Sequence, residues 1–166
     1  SDLLVLKLSH PPATSLVERI SHGIITILQQ SRRPVLFVKE TPLQVSSILL
    51  PFDGGQRSKE ALFIAAYYAA RYGSQLNLLM VTRGSEKDEV NRYYAQTYLE
   101  KLGVKAEFYQ GDAESFTKDV VSLAETLRVS TLILGGYENT SILDRVFSQS
   151  IDEILSQVTI PVMICQ

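Results

Sequence analysis

Apolar and polar positions change period repeatedly along this chain. Short apolar runs of four to six residues alternate with longer stretches in which apolar positions recur every three or four. The runs Ser47-Ile48-Leu49-Leu50-Pro51, Leu76-Asn77-Leu78-Leu79-Met80-Val81, Leu132-Ile133-Leu134 and Val162 to Cys165 have the unbroken character of strands covered on both faces. Ala106-Glu107-Phe108-Tyr109 alternates more and predicts a shorter strand. Between them the spacing predicts helices over 57–72, 87–101, 115–128 and 141–157. The first carries Ala61, Ile64, Ala65, Tyr68 and Ala69 on one face and stops at Gly73. The second carries Val90, Tyr94, Thr97 and Tyr98. The order β-α-β-α-β-α-β-α-β predicts a doubly wound, five-stranded parallel sheet with helices on both faces, because right-handed crossovers wind the chain around the sheet.

The first forty residues repeat the pattern of the last forty. Asp2-Leu3-Leu4-Val5-Leu6 answers Thr131-Leu132-Ile133-Leu134, Ser15 to Ile20 answers Ser141 to Val146, and Arg33-Pro34-Val35 to Val38 answers Ile160-Pro161-Val162 to Cys165. Residues 1–40 therefore read as a β-α-β remnant, the last third of a preceding unit. Residues 41–44 are a linker in which Pro42 disfavours helix, and residues 45–166 are a complete unit. The remnant's two strands and apolar helix stripe (Leu16, Val17, Ile20, Ile24, Ile27, Leu28) need a larger surface to bury against. Pairing of Val35 to Val38 with Val162 to Cys165 is expected, since open strand edges invite association, and with it a homodimer.

Sheets of this kind take ligands outside the carboxyl ends of the strands, where strand order reverses. That directs attention to Asp53-Gly54-Gly55, Val81-Thr82-Arg83, Gln110-Gly111-Asp112 and Gly135-Gly136-Tyr137. Asp53 either offers an acceptor carboxylate to a ligand, with Gly54 and Gly55 opening the backbone to it, or caps the next helix. Pro51 and Val81 offer apolar contacts to a base or serve as core at strand ends.

Here the residues resemble a family. Ile48 to Gly55, the alanine-rich helix and Leu76 to Val81 resemble the opening of a universal stress protein domain. Leu132 to Gly136, Ser148-Gln149-Ser150 and Pro161 to Ile164 resemble its close. The resemblance implies an adenine nucleotide alpha hydrolase-like fold and a regulatory, stress-response role without catalysis. It implies that Asp53 holds adenine or ribose, that a loop of form G-x2-G-x9-G-[ST] holds the phosphates, and that domains associate through their fifth strands. With Gly135 as first glycine, Glu138 replaces the second and Ser148-Gln149 the last pair. With Gly136 first, Asn139 and Gln149-Ser150 do so. The tentative nucleotide-binding set is thus Pro51, Asp53, Val81, Gly135, Gly136, Ser148 and Ser150. The missing glycines put side chains where bare amides cradle phosphate, and Glu138 adds a like charge. AMP or ATP is expected to bind weakly. Thr140, Ser141 and Arg145 either donate to an anion or cap and pair locally.

Composition narrows the field further. The 166 residues carry a net charge of −2 without a long basic run, which argues against nucleic acid. The longest apolar stretch, residues 61–70, is too short for a bilayer helix, and a cytoplasmic location is expected. With one cysteine and two histidines, a transition-metal site is not expected. His10 and His22 have no nucleophile near them in sequence, and no catalytic set emerges.

Overall fold

The computed structural model describes residues 3–8, 26–28, 30–31, 33–39, 43–136 and 144–165, with the side chains of 144–149 outside the description. Most of the helix expected at residues 15–30 lies outside the described residues.

The strands are β1 (Leu4–Lys7), β2 (Val35–Val38), β3 (Ser47–Phe52), β4 (Gln75–Thr82), β5 (Ala106–Asp112), β6 (Thr131–Gly135) and β7 (Val162–Cys165). The helices are α1 (Gln56–Tyr72), α2 (Glu86–Lys101), α3 (Phe116–Thr126) and α4 (Asp144–Gln157). They form one sheet in the order β1-β2-β7-β6-β3-β4-β5. The expected five-stranded sheet is present as β7-β6-β3-β4-β5, all parallel. It is corrected to seven strands, because both remnant strands join it. The reason is edge satisfaction: β7 is fully buried and apolar, and β2 supplies the partner its free backbone edge lacks.

Alternate residues of each strand serve opposite faces. Ile48, Leu50 and Phe52 face the alanines of α1 (Ala61, Ala65, Ala66, Ala69) and Ala95 and Leu99 of α2. Leu49, Leu79, Leu132 and Leu134 face Val120 and Ala124 of α3 and Ile151, Ile154 and Leu155 of α4. Alanines bring α1 close to the sheet, which controls the site below.

β2 runs antiparallel to β7, pairing Val35 with Ile164, Leu36 with Met163 and Phe37 with Val162. The registers β1–β2 and β6–β7 then match position by position. Leu4↔Val35 corresponds to Leu132↔Val162, and Lys7↔Val38 to Gly135↔Cys165. Leu4 N–H donates to the Pro34 carbonyl at 3.0 Å, as Leu132 does to Pro161 at 3.0 Å. Leu8 N–H donates to Val38, as Gly136 does to Cys165. The two segments are related by a local twofold passing between Leu36 and Met163.

The connection between them is pinned within the chain. Lys39 Nζ donates to the Leu155 carbonyl at 2.7 Å and to that of Val158, at the C-terminus of α4. Thr131 Oγ1 donates to the Gln44 carbonyl. A cation at a helix C-terminus answers both the unpaired carbonyls and the helix dipole. Its partial burial lowers the Lys39 pKa through desolvation.

Two outcomes follow. Lys39→Met removes both hydrogen bonds and lowers unfolding free energy by about 1–2 kcal/mol, read from urea melts. Burial in β7 pushes the Cys165 thiol up from 9.0 to about 12. Because the folded thiol holds its proton longer than the unfolded one, the Cys165 contribution to stability is constant below pH 9.0 and is lost as pH rises toward 12. A thiol reagent at about pH 8 labels only unfolded chain.

Candidate functional site

The crevice at the strand carboxyl ends originates with a proline. Ser47 turns its carbonyl toward β6, accepting the Ser130 N–H at 2.8 Å. By two-residue alternation Leu49 and Pro51 turn the same way. Pro51 has no N–H to give, and the β3–β6 pairing stops at Leu49↔Leu132. On the other side β3 stays paired with β4 as far as Phe52↔Met80. The sheet therefore parts between β3 and β6, at the point where strand order reverses.

Asp53 stands at the mouth of this parting, half-buried. Its Oδ1 accepts the Gly55 N–H at 2.9 Å, a local turn that leaves the helix N-cap to Gly55 itself. Among the described residues, Oδ2 has no hydrogen-bond partner. The capping alternative is thus met only in part, and one carboxylate oxygen is left for a ligand. Gly54 adopts φ +79°, in the left-handed region, and a Cβ there would lie 2.0 Å from Asn91 Oδ1. Asn91, from α2, donates its Nδ2 to the Asp53 carbonyl at 2.8 Å and so fixes the turn. Sequence reasoning missed Asn91. It lies 38 positions downstream, and no spacing links it to the turn.

The other residues of the set divide. Pro51 is buried at the parting. Val81 is buried in β4 opposite Gly111 of β5, so it serves as core. Gly135 is explained by packing: an added Cβ would lie 2.8 Å from Ser58 N and 2.9 Å from the Arg57 carbonyl carbon. It lets the first turn of α1 rest directly on the end of β6. Gly136 donates its N–H to the Cys165 carbonyl at 2.6 Å, so that donor is taken by the sheet. Ser148 and Ser150 lie at least a turn inside α4, where the i→i−4 ladder takes up their backbone N–H groups. Ser150 is half-buried. Glu138, Asn139, Thr140 and Ser141 lie outside the described residues, as does the side chain of Arg145.

A row of aromatic rings runs from the end of β3 along α2. Phe52 stacks on Tyr94 (6.3 Å between centroids) and Tyr94 on Tyr98 (6.4 Å), with Lys59 Nζ 4.8 Å from the Tyr94 ring centre. A shallow groove of about 330 Å³ lies elsewhere, between α3 and α4, lined by Thr117, Lys118, Val121, Glu125 and Glu153 among others. Its lining includes none of the residues of the tentative nucleotide-binding set.

The chain matches no protein-family model and no curated protein. Among solved structures it is similar to a universal stress protein from Archaeoglobus fulgidus DSM 4304, at 15% identity and a TM-score of 0.76. That match covers 98% of this chain and 60% of the other, so the chain spans about three-fifths of that relative's length. The fold is that of the universal stress proteins. Two further structures with this fold were solved with nucleotides. A universal stress protein in complex with cAMP is 16% identical, with a TM-score of 0.60, covering 73% of this chain and 96% of that one. A universal stress protein from Archaeoglobus fulgidus in complex with dAMP is 14% identical, with a TM-score of 0.54, covering 75% and 100%. In this chain the universal stress protein fold has its crevice at Pro51 and Asp53 and its glycine pair packed into the sheet.

Gly135→Ala forces α1 away from β6 and costs about 1–3 kcal/mol in denaturant unfolding, with helix content unchanged.

Proposed function

We propose that this chain is part of a universal stress protein, a regulatory stress-response module that binds an adenine nucleotide by its base and ribose and grips the phosphates weakly. In this reading residues 45–166 are the complete unit, residues 1–40 the end of a preceding one, and 41–44 the linker. The module acts in the cytoplasm and catalyses no reaction. One observation carries the nucleotide site: the β3–β6 ladder ends at Leu49↔Leu132, beside an aspartate with one carboxylate oxygen unpartnered among the described residues. Carboxylates in such a place accept ribose hydroxyls or amine protons. The cAMP and dAMP complexes of similarly folded proteins support adenine as the ligand class. Both ligands carry a single phosphate group.

Among the described residues of the tentative set, the backbone donors are engaged or crowded. Gly136 bonds within the sheet, Gly135 is pressed against α1, and Ser148 and Ser150 lie within a helix. ATP then gains little over AMP, and magnesium adds nothing.

The same reading carries a homodimer. Its form is an association of two copies through fifth-strand and remnant contacts. Light scattering then gives the mass of two chains.

Calorimetry tests the site. AMP binds with a Kd of roughly 10 µM or weaker, and ATP lies within about tenfold of it. Asp53→Ala weakens AMP binding by about tenfold or more, the loss expected for a hydrogen bond to a charged group. ATP binding far tighter than AMP, with slow hydrolysis, overturns the reading.

A further inference from the structure

The outer strand of the remnant is unfinished in a specific way. By the matched registers, Leu3, Leu4 and Val5 occupy the positions of Thr131, Leu132 and Ile133. The second three are 0% exposed, whereas the first three are 41%, 38% and 52% exposed. β3 at the edge of β6 and α1 over its face do the burying. Among the described residues, β1 has a counterpart of neither.

The backbone indicates which groups are free. Leu4 and Leu8 donate their N–H groups to the carbonyls of Pro34, just before β2, and Val38, at its end. By alternation Val5 and Lys7 turn theirs away from β2, to the open side. An exposed apolar strand with outward donors is a template for another strand.

The geometry points to a specific occupant for this edge: a parallel strand followed by a helix, built like residues 46–72 of this chain and belonging to a preceding unit. Its register is set by the complete unit, where Ile48↔Thr131 and Leu49↔Leu132 pair. The equivalent residues of the incoming strand therefore lie opposite Leu3 and Leu4. A second copy's own β3 does not serve, because both its edges are engaged by β4 and β6. Length agrees with this occupant. The Archaeoglobus relative that accommodates 98% of this chain extends well beyond it, whereas the cAMP and dAMP complexes are covered almost entirely by about three-quarters of it.

The incoming helix cannot dock as α1 does. Lys7 stands where Gly135 stands, and a Cβ at that position meets the first turn of α1 at 2.8 Å. Lys7 also places a cation at a helix N-terminus, the unfavourable end of the dipole. The helix therefore starts farther from β1 than α1 does from β6, and the crevice on that side differs from the one at Asp53.

This inference rests on the reading of residues 1–40 as the end of a preceding unit, and it is independent of nucleotide binding. The test adds a synthetic peptide with the sequence of residues 46–72 to the 166-residue chain and follows amide hydrogen exchange. The Val5 and Lys7 amides slow by about tenfold or more as the peptide saturates. Val5→Pro removes the outward donor but keeps the bonds to β2. It abolishes this protection while leaving the melting temperature of the free chain unchanged. Lys7→Gly tightens peptide binding. Failure of the peptide to protect either amide in wild type and Lys7→Gly overturns the inference. So does concentration-dependent protection without peptide that Val5→Pro removes, which would identify β1 of a second copy as the partner. An AMP titration on the same samples reports separately on the Asp53 site.

Discussion

A buried apolar strand at the end of a sheet presents backbone donors and acceptors that water cannot reach, and β7 is such a strand. Leu36 and Met163 face each other across the local twofold, and the three-residue antiparallel ladder around them resolves the problem. Much else follows from that ladder. It brings β1 into the sheet, completes the core below Phe37 and Val35, and places Lys39 where it meets the last carbonyls of α4. An antiparallel joint between two otherwise parallel sets of strands is what a pseudo-twofold requires.

Much of this arrangement was legible in the chain. The alternation of strand and helix periods located the nine elements of residues 45–166 to within a few positions, although in α2 the expected stripe misled: Val90 and Tyr94 are exposed, and Ala95 and Leu99 face the sheet. The pairing of Val35–Val38 with Val162–Cys165 was legible from the repeat, since two like strands with free edges have few other partners. β5 proved longer than its alternating core suggested, because pairing to β4 continues through Gly111 and Asp112, which carry no strand signal of their own. Whether the remnant joins the sheet of its own chain or that of a second copy was not legible, because the repeat specifies a partner strand and not the chain it belongs to.

The site was readable by position and less so by role. Asp53 and Pro51 lie where strand order reverses, as the topology demanded. Yet the significance of Pro51 depends on which neighbour its missing N–H would face, a register fact absent from sequence. Gly135 is the instructive case. A glycine after a strand in this fold suggests an anion cradle, but here the first turn of α1 occupies the space a Cβ would need. Asn91 was invisible because its link to the Asp53 turn is purely three-dimensional.

The parting at Pro51 has a consequence for how any guest enters. A gap made by a side-chain rotamer or a hinge closes when empty, and a guest must spend binding energy to reopen it. A pyrrolidine ring offers no such closed state, since no rearrangement restores the hydrogen it lacks. The end of the β3–β6 ladder is thus fixed by covalent structure and not by a rotamer or a hinge.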